Sequence, residues 1–270
     1  MSPRRRVYAI VAASAVGAAA LVVAITAATH EEPPTPPAPR AGKPPFAGDA
    51  TQPPELVADV RKAMDAWPVG TIPRLRALVQ ARPRSGFVRL NLGLALFWAR
   101  DDAGAVREWR VAASVDPDTP SAVHAGDLLH PRSPPGLPFF VPSEHPDPAV
   151  RRELLRGIAL QRAGRPVSAE RAFAAAARAA PNDAEAQVAA AVSRFRKDAP
   201  ERAFGRLGPL VRRFPHAQTV RFHLGLLSIW INDFAQARRQ LRLARGLGPR
   251  TRLGREANTL LGSLLNVGTG

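Results

Sequence analysis

Apolar positions along this chain fall into two patterns, and each predicts a different kind of element. Residues 7–28, VYAIVAASAVGAAALVVAITAA, form one run without a charge. As a helix rising ~1.5 Å per residue it spans roughly 33 Å, enough for a hydrocarbon core of about 30 Å. A helix also satisfies every backbone amide inside the segment, which lipid demands. Arg4, Arg5 and Arg6 precede the run and Glu31 and Glu32 follow it. The positive-inside rule then keeps residues 1–6 in the cytoplasm and sends the rest outward, making a single-pass membrane protein. A cleaved signal sequence is the alternative, because Thr26-Ala27-Ala28 is a small-residue cleavage site and the run is rich in alanine. Both readings export the domain. Beyond residue 54 the apolar stretches are short and punctuated, ending in an amphipathic stretch, RLGREANTLLGSLL, over 252–265. Between the two patterns, residues 29–54 are proline-rich. Proline supplies no donor and fixes φ, so this stretch predicts an extended, semi-rigid linker holding the domain off the bilayer.

The punctuation is periodic. Residues 86–119 contain Leu92-Gly93, then Ala105, Trp109, Ala112 and Pro117. Each position has a cause. Gly93 and Ala105 let two helices approach closely, Trp109 fills the wedge between hairpins, and Pro117 stops the second helix. The same stops stand at Pro83, Pro117, Pro181, Pro215 and Pro249, separated by 34, 64, 34 and 34 residues. Gly157, Ala169, Phe173 and Ala176 precede Pro181 in phase. Leu224, Gly225, Ala237, Leu241 and Ala244 precede Pro249. The copy before Pro215 keeps Ala203 and Leu207, and the copy before Pro83 keeps only Leu75.

A period of 34 residues with these positions resembles the tetratricopeptide repeat family. The resemblance implies an all-α fold: antiparallel helix hairpins stacked as an α-α superhelix, a solenoid, after the N-terminal transmembrane helix. Because such repeats bury their core only by stacking, the array is expected to fold as one elongated unit over 55–265. The repeats are expected at about 52–85, 86–119, 120–149, 150–183, 184–217 and 218–251, with a capping helix at 252–265 and a tail at 266–270. The slot at 120–149 is degenerate. Residues 120–130 read as a first helix, but PRSPPGLPFFVPSEHPDP at 131–148 excludes the second. Phe139 and Phe140 in that loop have two readings: they pin it over the gap left by the missing helix, or they form an arm that covers a groove or docks on a partner.

In the family, the first helix of each hairpin lines the concave face. By register, that places Phe97 and Trp98, Gln161 and Arg162, Phe195 and Arg196, and Ile229 and Trp230 towards a groove, with Asn91 and His223 at equivalent earlier positions. Aromatic anchors mixed with guanidiniums suit a protein or peptide partner carrying an acidic side chain or a free carboxylate. Packing alone also accounts for aromatics there. The carboxylate-clamp variety of these repeats uses paired lysines and asparagines; only Asn91 fits, so that activity is not carried over.

Composition narrows the function further. The chain has 270 residues, 6% aromatic, and alanine, leucine and arginine dominate, so a large sheet is not expected. It contains no cysteine, which removes disulfides and thiolate sites. The formal charge of +16 raises nucleic acid or an anionic envelope polymer as an alternative partner. The arginines are spread along the chain, however, and no nucleic-acid-binding signature accompanies them. The six histidines form no HExxH motif; His124, His130 and His145 share the broken repeat and its loop without the spacing of a metal site. No phosphate loop, GxSxG motif or spaced carboxylate pair occurs. The expectation is therefore a non-catalytic scaffold with no cofactor and no metal, an assembly chaperone-like role being a third reading that rests on fold analogy.

Overall fold

A computed structural model describes residues 38–143 and 146–265. The expected membrane segment at 7–28, the linker up to residue 37, His145 and the tail 266–270 lie outside them. Among the described residues there are twelve α-helices and no strand, and no helix long and apolar enough to cross a membrane. The chain divides after residue 131 into two compact units.

The first unit holds α1 (Pro54–Met64), α2 (Thr71–Ala81), α3 (Gly86–Trp98), α4 (Asp102–Val115) and α5 (Pro120–Leu129). The second holds α6 (Pro148–Arg162), α7 (Pro166–Ala179), α8 (Ala184–Val192), α9 (Glu201–Arg213), α10 (Gln218–Trp230), α11 (Phe234–Leu247) and α12 (Arg252–Leu265). After α5 the described residues 130–143 continue without a helix.

The five periodic prolines set the helix ends. Each stands two residues beyond the last residue of α2, α4, α7, α9 or α11. A residue before proline is pushed out of the helical region by the ring. Accordingly, Arg82, Asp116, Ala180 and Phe214 have φ between −139° and −130° and ψ between 66° and 78°. Starts are set by side chains that accept the orphan amides of the first turn: Ser85 from Val88, Asp101 from Gly104, Thr119 from Ala122, Asp183 from Ala186 and Asp233 from Gln236. Each such cap stabilises its helix by about 1 kcal/mol.

Three hairpins, α3–α4, α6–α7 and α10–α11, close through one recurring contact. A Cβ added at Gly93 would lie 2.3 Å from Nε1 of Trp109, one at Gly157 2.3 Å from the Phe173 ring, and one at Gly225 2.7 Å from Cγ of Leu241. The large partner stands sixteen positions on in each case, on the following helix. In the first unit Gly86 also meets Ala112 while Gly93 meets Trp109, so α3 and α4 run antiparallel.

Packing separates the helices into two kinds. Each helix within a unit packs on the next, and α1, α3 and α5, or α6, α8, α10 and α12, also pack in series on one another; the intervening helices do not. The helices in series therefore form an inner layer, enclosed on more sides. Their sequences show it: 11 of the 13 residues of α3 and 11 of the 13 of α10 are buried, against 4 of 14 in α4 and 3 of 14 in α11.

The close contact predicts a clear mutational asymmetry. Gly157→Val should destabilise the second unit by about 1–3 kcal/mol, because the Phe173 ring has no room to retreat. Gly126→Ala in α5, where an added Cβ meets nothing within 4 Å, should be neutral or stabilising by up to about 1 kcal/mol. Urea unfolding of the two variants measures both.

Candidate functional site

Extended backbone cannot satisfy its own amides, so a proline-rich segment that packs against helices must find partners among their side chains. Both units contain such a segment, and in both the partners come from the inner layer.

In the first unit, residues 38–53 run over α1, α3 and α5 rather than standing free as the expected linker. The Asn91 side chain, on α3 and fully buried, grips Ala47 by both backbone groups. Its Oδ1 accepts from the Ala47 N–H and its Nδ2 donates to the Ala47 carbonyl, both at 3.0 Å. A further bond from Nδ2 to the Phe87 carbonyl, 3.0 Å, fixes the amide orientation. Phe46 sets its ring edge-on to Phe87, with centroids 6.1 Å apart, and Arg61 covers it at 4.4 Å. Upstream, the Arg40 backbone N–H donates to the Trp98 carbonyl at 2.7 Å, and its guanidinium lies 3.8 Å over the Phe97 ring. Downstream, buried Asp49 accepts from the backbone and hydroxyl of Ser121 at the start of α5.

In the second unit the segment is residues 132–143. Three successive inner helices each supply one acceptor to its backbone. Gln161 of α6 accepts from the Phe140 N–H at 3.2 Å, His223 Nε2 of α10 accepts from the Val141 N–H at 2.9 Å, and Glu185 of α8 accepts from the Ser143 N–H. Phe140 is buried, stacked on the His223 ring at 5.1 Å and edge-on to Phe173 at 5.6 Å. Its ring fixes the segment onto α7 and α10. Lys197 ties the near end by donating to the Pro134 carbonyl at 2.6 Å.

The two sites follow one scheme. A phenylalanine packs on the helices, Phe46 half-buried and Phe140 buried, and the next residue's backbone is gripped by the side chain at Asn91 or at His223, which occupy the same place in VRLNLG and VRFHLG. Register therefore placed Asn91 and His223 on the inner face, but the occupant is the chain itself.

The other expected groove residues divide. Trp98, Phe195 and Trp230 are corrected: they are buried in the cores of their units, not exposed anchors. The cause for the two tryptophans is that α3 and α10, which carry them, are buried on nearly every side. Phe97 is half-buried beneath Arg40. Arg162 is exposed at the end of α6. Arg196 contacts Glu170 of α7 at 3.5 Å, as does Arg194. What sequence reasoning missed is the docking of residues 40–49; the paired Phe46-Ala47 and Phe140-Val141 were its only signal.

Electrostatics single out His223. Burial pushes its pKa down to about 4, and the hydrogen bond of Nδ1 to the Thr219 carbonyl, 2.8 Å, only partly opposes this. The neutral ring thus carries its proton on Nδ1 and leaves Nε2 to accept. Burial raises the Glu185 pKa, opposed by the bonds from Ser143 and aided by Asp183. Burial likewise lowers that of His124 in α5, opposed by Asp127. Among the described residues no group of three His, Asp or Glu side chains is arranged for a metal ion. No protein-family model matches the chain, and no curated protein matches it.

These shifts set a pH dependence. Between the ordinary histidine value of 6.5 and about 4, the unfolded chain takes up a proton at His223 that the folded chain refuses. Stability from this group is therefore complete above pH 6.5 and is lost as pH falls towards 4, by about 3 kcal/mol in all. Glu185, with its raised pKa, opposes the loss at the acid end of the window, because the folded form takes up its proton first. His223→Gln, whose amide oxygen reaches about as far and does not titrate, should flatten the slope between pH 6.5 and 4.5. Urea midpoints at several pH values check it; an unaltered slope in the variant would assign the effect elsewhere.

Proposed function

We propose that the protein is a non-catalytic interaction scaffold of the tetratricopeptide type, tethered to the membrane through residues 7–28 with its helices outside the cytoplasm. The observation that carries this reading is the grip on extended backbone. Inner-layer side chains hold Ala47 by its amide and carbonyl and Phe140 and Val141 by their amides, with Phe46 half-buried beside the first grip and Phe140 buried in the second. That is the chemistry of peptide recognition: backbone hydrogen bonds give affinity and a pocketed side chain gives register.

The periodic glycine-to-large contacts, the proline stops and the two-layer packing of helices support the repeat assignment. They also bear on mechanism. Helices that bury their inner face under the chain's own segments present a partner with their outer edges and with the exposed arginines. The alternative, a basic surface binder of an anionic envelope polymer, is favoured by the charge of +16 alone. A role in assembling exported proteins remains within the first reading as one kind of partner.

Photocrosslinkers placed at Arg162 and, separately, at Ile231 in the intact membrane test the proposal. Both residues are exposed, and they lie at the ends of two inner helices. Discrete protein adducts that persist between low and moderate salt are expected. Adducts formed only with polyanion, and lost steeply as salt rises, would replace the scaffold reading by the alternative.

A further inference from the structure

The second unit contains a pocket whose walls are almost all arginine. Arg194 and Arg196 come from the loop after α8, Arg202 and Arg206 from α9, and Glu170 from α7. Arg202 and Arg206 are four positions apart, so they share one face of α9, and both are exposed. Four guanidiniums thus face a single carboxylate. Glu170 is divided between two of them: Oε1 lies 3.5 Å from Arg194 and Oε2 3.5 Å from Arg196. Both contacts are long for an arginine–carboxylate pair, whose good geometry is about 2.7–2.9 Å. Among the described residues, Arg202 and Arg206 have no carboxylate partner.

We propose that this pocket is an oxyanion subsite that takes a carboxylate or phosphate group carried by an extended peptide partner. Three observations converge. The local charge is unbalanced, four cations against one anion, in a concavity that concentrates the potential. The cations are arginines, whose fork of donors matches the paired oxygens of carboxylate and phosphate. The loop that supplies Arg196 also reaches the gripped segment, since Lys197, the next residue, donates to the Pro134 carbonyl. Glu170 serves as a positioning group: it holds Arg194 and Arg196 at the wall and leaves Arg202 and Arg206 to meet the ligand. The inference rests on the scaffold reading for the source of the oxyanion, but the pocket's chemistry does not.

The test uses the full chain in detergent micelles and a fluorescent peptide carrying three glutamates, beside its all-glutamine counterpart and inorganic phosphate. The glutamate peptide should bind at least tenfold more tightly than the glutamine peptide, and phosphate should compete. Arg202→Gln with Arg206→Gln should weaken binding at least tenfold. Arg238→Gln with Arg242→Gln removes the same charge at the same spacing on α11 and should leave it unchanged. Equal losses in the two double variants would overturn the pocket, because diffuse charge would then explain binding. Competition-grade phosphate binding, lost in the first double variant, with no peptide binding would keep the oxyanion site and sink the peptide scaffold. No binding of either probe would overturn the subsite and leave the scaffold reading to its own crosslinking test.

Discussion

Helices of nine to fifteen residues are marginal in water, because the cost of nucleating each one is barely recovered by its own hydrogen bonds. Their stability has to come from burial against a neighbour, and here that burial depends on a steric pairing: no side chain on the first helix of a pair, a large one on the second. Gly93 with Trp109, Gly157 with Phe173 and Gly225 with Leu241 repeat it. With the backbones drawn together, the alanines at 105, 169 and 237 pack at zero exposure and the pair becomes a slab with two apolar faces. A slab cannot end in water on both faces, so pairs stack, and the stack supplies what no single helix can.

Stacking has a geometric consequence that governs the rest. The first helices of successive pairs also touch one another, so they have little free surface except along one edge. Proline-rich backbone covers that edge within each unit: residues 40–49 in the first and residues 134–143 in the second. Such backbone brings apolar rings but also unpaired amides, and a buried amide left without a partner costs about 1–3 kcal/mol. That cost explains the polar residues embedded in otherwise apolar helices. Asn91, Gln161, Glu185 and His223 stand there because extended chain lies over them.

How much of this was legible in the sequence follows from the range of each interaction. The proline stops and helix caps act within four residues, and the glycine-to-large pairs within sixteen, so periodicity exposes them. The broken repeat was legible for the same reason: prolines at 131–148 forbid a helix wherever they fold. The gripped segments were not. Ala47 meets Asn91 across 44 residues and Val141 meets His223 across 82, and neither pair has a spacing shared with anything else. Trp98 and Trp230 were misplaced because register shows the direction a residue faces, whereas burial depends on what the chain later lays against it.

The occupied edge constrains how a partner is recognised. A peptide that bound as residues 140–143 do would have to displace a segment attached to the same chain, whose effective concentration is of the order of mM. It would also have to replace three backbone hydrogen bonds and the stacking of Phe140 on His223 merely to break even. A ligand that adds a charge the internal segment lacks escapes this competition, because its gain comes from groups the resident chain leaves unused. Within the second unit those groups are guanidiniums, gathered around Glu170 beside the loop that Lys197 ties to Pro134. On the reading proposed above, the internal segment closes the apolar edge and leaves charge to distinguish one partner from another.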